Sequence, residues 1–255
     1  MPRTEAASAD RLLGGRIRLL QPRTGYRVAI DPVLLAAAVP ARACRRVLDV
    51  GAGTGAASLC LAARLPDCRI VALERDPEMA LLLARNVREN GFEERIRVIE
   101  GDIADPPAAL RRGEFDLVMT NPPYSAPGRG TPAAAQRRGA TVESLPLGAW
   151  IEACLRRLLP RGYLLLVHRC DRLAEIVRHL ARACGDLRIF PLWPRADSRE
   201  AGRLLLLARK AVRSPSHLLR GLVLHQPDGR FTPEAEKVLR EMAPLDLLPT
   251  DGEGG

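Results

Sequence analysis

Along most of this chain, short apolar runs alternate with amphipathic stretches. The runs ending at Val50, at 68–76 ("CRIVALERD"), 95–102 ("RIRVIEGD"), 115–121 ("FDLVMTN") and 162–169 ("GYLLLVHR") are nearly continuous. That is the pattern of strands buried on both faces of a parallel sheet. Between them the period changes to that of helices. One helix runs from the glycines at 51–55 to about Leu65, and a second from Asp76-Pro77 to Asn90-Gly91. A third, at 147–159, places Trp150, Ile151, Cys154, Leu155 and Leu158 on one face and ends at Pro160-Arg161-Gly162. A fourth covers 171–183. Asp and Pro in succession suit a helix start, the acid at the N-cap and proline first in the helix; Asp31-Pro32 predicts the same for a short apolar helix.

Two last apolar runs, 187–193 and 202–211, are separated only by "PRADSREA" (194–201), too short for a crossover helix, so they should pair antiparallel. The expected fold is α/β: a Rossmann-like, doubly wound, seven-stranded and mostly parallel sheet with its last strand antiparallel. Residues 1–30 are expected as a tail (1–10) and a hairpin at 16–28 turning at Pro22 to Gly25. Residues 31–211 are the main domain. Residues 212–255 are an appendage with a short helix capped by Thr232-Pro233, followed by a tail. At 255 residues and 47% hydrophobic, the chain can bury one sizeable core.

Chemistry belongs at the carboxyl ends of such strands, where open parallel sheets bind ligands. The first strand ends with Asp49 and "GAGTG" (Gly51, Ala52, Gly53, Thr54, Gly55), whose glycines let a ligand approach the backbone. The second ends with Glu74, 19 residues beyond Gly55 and suited to accept both hydroxyls of a ribose. The third ends with Asp102, a partner for an adenine amino group beside the Ile103 N–H. The fourth ends with Asn121-Pro122-Pro123-Tyr124. A ribose and an adenine fit a dinucleotide or S-adenosylmethionine; the fourth strand separates them, since hydride transfer has no use for such a corner. A planar amine does. Its two N–H groups need two acceptors, supplied by the Asn121 side-chain oxygen and the Pro122 carbonyl, while Tyr124 stacks on the base.

Net charge refines the picture. It is +9, and of the 39 cations only Lys210 and Lys237 are not arginine, a composition that suits nucleic acid. Arg129, Arg137 and Arg138 lie in an Arg/Gly/Ala/Pro-rich stretch (125–144) expected as a substrate lid, with Arg129 as an RNA contact. The six cysteines form no C-x-x-C pair, so no metal is expected, and they read as reduced core residues of a cytoplasmic protein. The start has no apolar leader and no run is long enough to span a membrane. The four histidines, His168, His179, His217 and His225, show no partner pattern and read as structural or exposed.

These motifs resemble the class I S-adenosylmethionine-dependent methyltransferases: "VLDVGAGTG" resembles their first motif, "VALERD" the second, "EGD" the third, and "NPPY" the fourth motif of those acting on amino groups. Over residues 14–245 the flanks "GYRVAIDPVLLAA" (25–37) and "RLLLLARK…LVLHQPDGRFTPEAEKVL" (203–239) are similar to the bacterial family that methylates the exocyclic amine of an adenine beside the anticodon of a valine tRNA. The resemblance implies Asp49, Gly51, Gly53, Glu74 and Asp102 as cofactor residues, Asn121 to Tyr124 as the catalytic motif, and Tyr26 and Arg27 near the cofactor's methionine part. Three alternatives stay open: methylation of a protein glutamine amide, methylation of guanine in ribosomal RNA, and a non-catalytic RNA-binding protein with a vestigial cofactor pocket. The oligomeric state is not indicated.

Overall fold

Strand β3 (Arg46–Val50) is buried at four of its five positions, because both of its faces are covered. The computed structural model describes residues 7–23, 29–110, 114–123 and 145–248. Beside β3 run β4 (Arg69–Glu74), β5 (Ile96–Glu100), β6 (Phe115–Thr120) and β7 (Leu158–Arg169), all parallel, in the spatial order β7-β6-β3-β4-β5. Strand β9 (Arg203–Lys210) is antiparallel both to β7 and to β8 (Cys184–Arg195) and lies between them. The seven expected strands are therefore present, and the last of them is inserted, not at the edge. The sheet also extends past β8: two short strands of the C-terminal segment, β10 (His217–Leu218) and β11 (Leu222–His225), pair parallel to β8.

Strand alternation divides the core into two layers. Leu48, Val50, Leu164, Leu166, Leu204 and Leu206 face one cluster, with helices α4 (Leu147–Arg157) and α5 (Leu173–Leu180). Val47, Leu165, Val167, Leu205 and Leu207 face the other, with α1 (Asp31–Ala37), α2 (Ala56–Arg64) and residues of α3 (Pro77–Glu89). Asp76 caps α3 as expected, its side chain accepting from the Glu78 and Met79 N–H groups. Asp31 does not cap α1: Ile30 holds that place, and the nearly buried Asp31 carboxylate pairs with Arg203 Nη1 at 2.9 Å. A guanidinium at a buried carboxylate outweighs a helix-end amide. Thr232 caps α6 (Pro233–Glu241), which packs against α1 and β11.

The N-terminal segment forms a hairpin that was not expected. Residues 7–10, expected as tail, belong to β1 (Ala7–Leu12), which pairs antiparallel with β2 (Ile17–Pro22) around a turn at Leu13–Gly15. The downstream half of the expected hairpin, including Tyr26 and Arg27, falls outside the described residues.

Two asparagines of α3 attach this hairpin. Asn86 Oδ1 accepts from Leu20 N at 2.8 Å and its Nδ2 donates to Leu20 O at 2.9 Å; Asn90 makes the same pair with Arg18, at 3.0 and 2.7 Å. Four residues of helix rise roughly 6 Å and two residues of strand roughly 6.6 Å. Side-chain amides at i and i+4 therefore match alternate peptides of β2 and replace a neighbouring strand. Asn86 Nδ2 also reaches Thr54 O at 2.9 Å, which ties the hairpin to the glycine turn. Asn86→Ala strands these buried backbone groups and should destabilise the protein by about 2–4 kcal/mol in urea unfolding. Asn90→Ala, at a more exposed position, should cost less.

Candidate active site

Val50 pairs with Leu73 of β4 and with Thr120 of β6, and Glu74 pairs with Glu100 of β5. The carboxyl ends of these four strands are therefore in step. The turn at 51–55, Glu74, Asp102 and Asn121 share one edge of the sheet, about 14 Å from first strand to last.

Gly51, Gly53 and Gly55 all have positive φ, 72°, 58° and 93°. The turn is drawn tightly over β4, with the N–H groups of Gly51 and Ala52 both donating to Leu73 O at 2.9 and 3.0 Å. A Cβ on Gly55 would lie 2.2 Å from Leu83 Cδ1, so a side chain there meets α3. A Cβ on Gly53 would meet nothing within 4 Å: this side of the turn is open. Glu74 is already aimed. Its Oε2 accepts from Gly53 N at 2.7 Å and its Oε1 from Asp76 N at 2.8 Å. Each oxygen keeps a further lone pair for a ligand hydroxyl, so an open glycine turn beside a fixed two-oxygen acceptor fits the ribose end of S-adenosylmethionine.

Asp49 lies beneath the turn. It is buried, and its Oδ2 accepts from the Ser58 hydroxyl of α2 at 2.6 Å. Burial, assisted by the nearby Glu74 charge, pushes its pKa up to about 7 against the pull of Ser58. Asp49 therefore faces α2 and would act on a ligand through the backbone of the turn. Asp102 stands more open, Oδ1 accepting from Ala104 N at 2.9 Å and Oδ2 paired with Arg75 at 3.4 Å; Ile103 behind it is buried. Asn121 is partly buried, Pro122 buried and Pro123 partly buried. Tyr124, Arg129 and the rest of the expected lid lie outside the described residues.

Three contributors at this edge carry no motif. Ser58 holds Asp49. Thr120 donates its hydroxyl to Val50 O at 2.8 Å and accepts from Trp150 Nε1 at 3.0 Å. The Trp150 ring also stands over Gly51, where an added Cβ would lie 3.3 Å from it. The only available signal was indirect, a tryptophan on the apolar face of a helix. His168, buried on β7, accepts from Arg169 N at 2.9 Å, and burial lowers its pKa to about 4, so it is neutral and structural. A cavity of about 150 Å3 lined by Arg46, Arg69, Arg95 and Arg97 lies at the opposite, amino edge of the sheet and is not part of the site. Among the described residues there is no cluster of three or more metal-ligating side chains, and no helix is long and apolar enough to cross a membrane.

Residues 27–170 match the family described as methyltransferase small domain. A protein of Tolumonas auensis named tRNA1(Val) (adenine(37)-N6)-methyltransferase is 31% identical over 84% of this chain and 88% of its own length. One of the same name from Aeromonas salmonicida is 36% identical over 82% and 87%. A solved structure from Agrobacterium tumefaciens, described as a predicted O-methyltransferase, superposes with a TM-score of 0.69 at 30% identity, covering 84% of this chain and 97% of that one.

The burial of Asp49 has a pH signature. Its folded pKa is above the unfolded value near 4, so ionising it opposes folding; the penalty grows as pH rises from about 4 to 7 and is constant above. Asp49→Asn removes it. In the cofactor-free protein the variant's gain over the parent, up to about 4 kcal/mol, should increase between pH 5 and 7 and level off by pH 8 in urea titrations. A gain independent of pH would show that Asp49 does not titrate in this range.

Proposed function

The chain belongs to the methyltransferase small domain family and is an S-adenosylmethionine-dependent methyltransferase; from that premise we propose that its acceptor is the exocyclic amine of an adenine in RNA, the RNA being a transfer RNA. The observation that carries this reading is the Asn121-Pro122-Pro123 corner at the end of β6, in register with the glycine turn after β3. When bound, S-adenosylmethionine supplies an electrophilic methyl on sulfur. The protein's task is to hold a poor nucleophile against it.

The adenine amine is poor because its lone pair is delocalised into the ring. The Asn121 side-chain oxygen and the Pro122 carbonyl would each accept one N–H and draw the nitrogen toward a tetrahedral shape. Proline fixes its own φ and pushes Asn121 into an extended conformation. The acceptors are thus set before substrate arrives, the condition under which electrostatic catalysis is effective. Tyr124 would stack on the base, and Arg129 would meet a phosphate. No side chain needs to take the proton, since the methylated amine is acidic enough to lose it to water. An oxygen acceptor, as the name of the Agrobacterium relative suggests for that protein, would instead need a base at the corner; Asn121 and two prolines offer none. The names of the two tRNA-modifying relatives favour adenine over guanine or a glutamine amide. A tRNA acceptor places the work in the cytoplasm.

Incubation with labelled cofactor and total tRNA, followed by nucleoside analysis, should yield N6-methyladenosine. Asn121→Ala should lower kcat about 100-fold or more while cofactor affinity stays within a few-fold. Glu74→Ala should weaken cofactor binding by about 10–100-fold in calorimetry. Label in another nucleoside, or only in protein, would replace adenine as the acceptor.

A further inference from the structure

We infer that Trp150 and Thr120 form a positioning latch that sets the spacing between the glycine turn and the Asn121 corner; the inference rests on the acceptor reading above. The latch is a chain of two hydrogen bonds. Trp150 Nε1–H donates to Thr120 Oγ1 at 3.0 Å, and Thr120 Oγ1–H donates to Val50 O at 2.8 Å. Thr120 is buried and immediately precedes Asn121; Val50 immediately precedes Gly51. The hydroxyl thus bridges the last residues of the two strands that carry the cofactor turn and the acceptor corner. The indole adds a second restraint, because its ring rests on Gly51, where a Cβ would come within 3.3 Å.

The anchor is itself braced. Trp150 sits in the first turn of α4, and two residues earlier Gly148 lies against the His179 ring of α5 so closely that a Cβ would be 2.2 Å from it. Misplacing reacting groups by about 1 Å costs on the order of 100-fold in rate, so the latch acts on turnover without touching substrate.

Thr120→Val removes the hydroxyl at constant shape, and Trp150→Phe removes the N–H while keeping a ring over Gly51. Each should lower kcat about 10-fold with the KM for cofactor changed less than threefold. The double variant should be no worse than Thr120→Val alone, because both remove the same chain of bonds. Thr120→Ser should restore kcat to within about twofold. In a Trp193→Phe background, the emission of Trp150 should shift on addition of cofactor and shift less in Thr120→Val. This readout needs no RNA, so a parent that methylates no tRNA refutes the acceptor reading and leaves the latch to be judged by fluorescence. Unchanged kcat in Thr120→Val, additive losses in the double variant, or a Trp150 signal indifferent to both cofactor and Thr120 would overturn the latch.

Discussion

Burial of the central strands on both faces is the constraint from which the rest of this molecule follows. A strand covered by helices on either side can carry polar chemistry only at its ends, and parallel strands bring like ends to one edge. Strand β3 shows the force of the rule by its one exception. Asp49 is a carboxylate inside the layer, tolerated because Ser58 donates to it, and raised in pKa because that one donor does not replace water. Every other acid of the site stands beyond the last buried residue of its strand.

An edge built this way would be loose without supports, since a turn with three glycines in five residues has little to hold it. The structure supplies supports from three directions. Glu74 binds the turn from β4 through Gly53, Asn86 binds it from α3 through Thr54, and Trp150 presses on Gly51 from α4. The same Asn86, with Asn90, fastens the N-terminal hairpin, so one buried amide joins the chain's first strands to the glycine turn. Arg203 holding Asp31 similarly fixes the start of α1.

The parts legible in the sequence are those whose cause is local. Asn-Pro-Pro is rigid by its own covalent geometry, Asp76 caps the residues directly after it, and strand period follows from burial. What escaped is made by contacts between distant residues. Leu20 and Asn86 are 66 positions apart, Thr120 and Val50 70 apart, and nothing near any of them in sequence marks the pair. Strand β1 escaped for a related reason: it has no fully buried residue and reveals itself only by pairing with β2. The short strands β10 and β11 are too brief to show a period and exist because β8 offers them an edge.

An excess of guanidinium groups suits a polyanionic partner, and several of the cations also serve the fold. Arg64 donates to Ala36 O and Val39 O at the end of α1, Arg95 to Ala62 O and Pro66 O at the end of α2, Arg157 to Leu110 O, Arg16 to Leu13 O and Arg240 O, and Lys210 to Leu155 O and Leu158 O at the end of α4. These carbonyls lie at helix ends and in turns, and a long cation reaches them while its stem covers apolar surface. The carboxyl edge, by contrast, is rich in acids: Asp31, Asp49, Glu74, Asp76 and Asp102. Asp31 is paired there with Arg203 and Asp102 with Arg75, so charge at this edge is partly compensated and does not by itself single out an RNA; the acceptor proposed at the Asn121 corner supplies a specificity that the net charge of +9 does not.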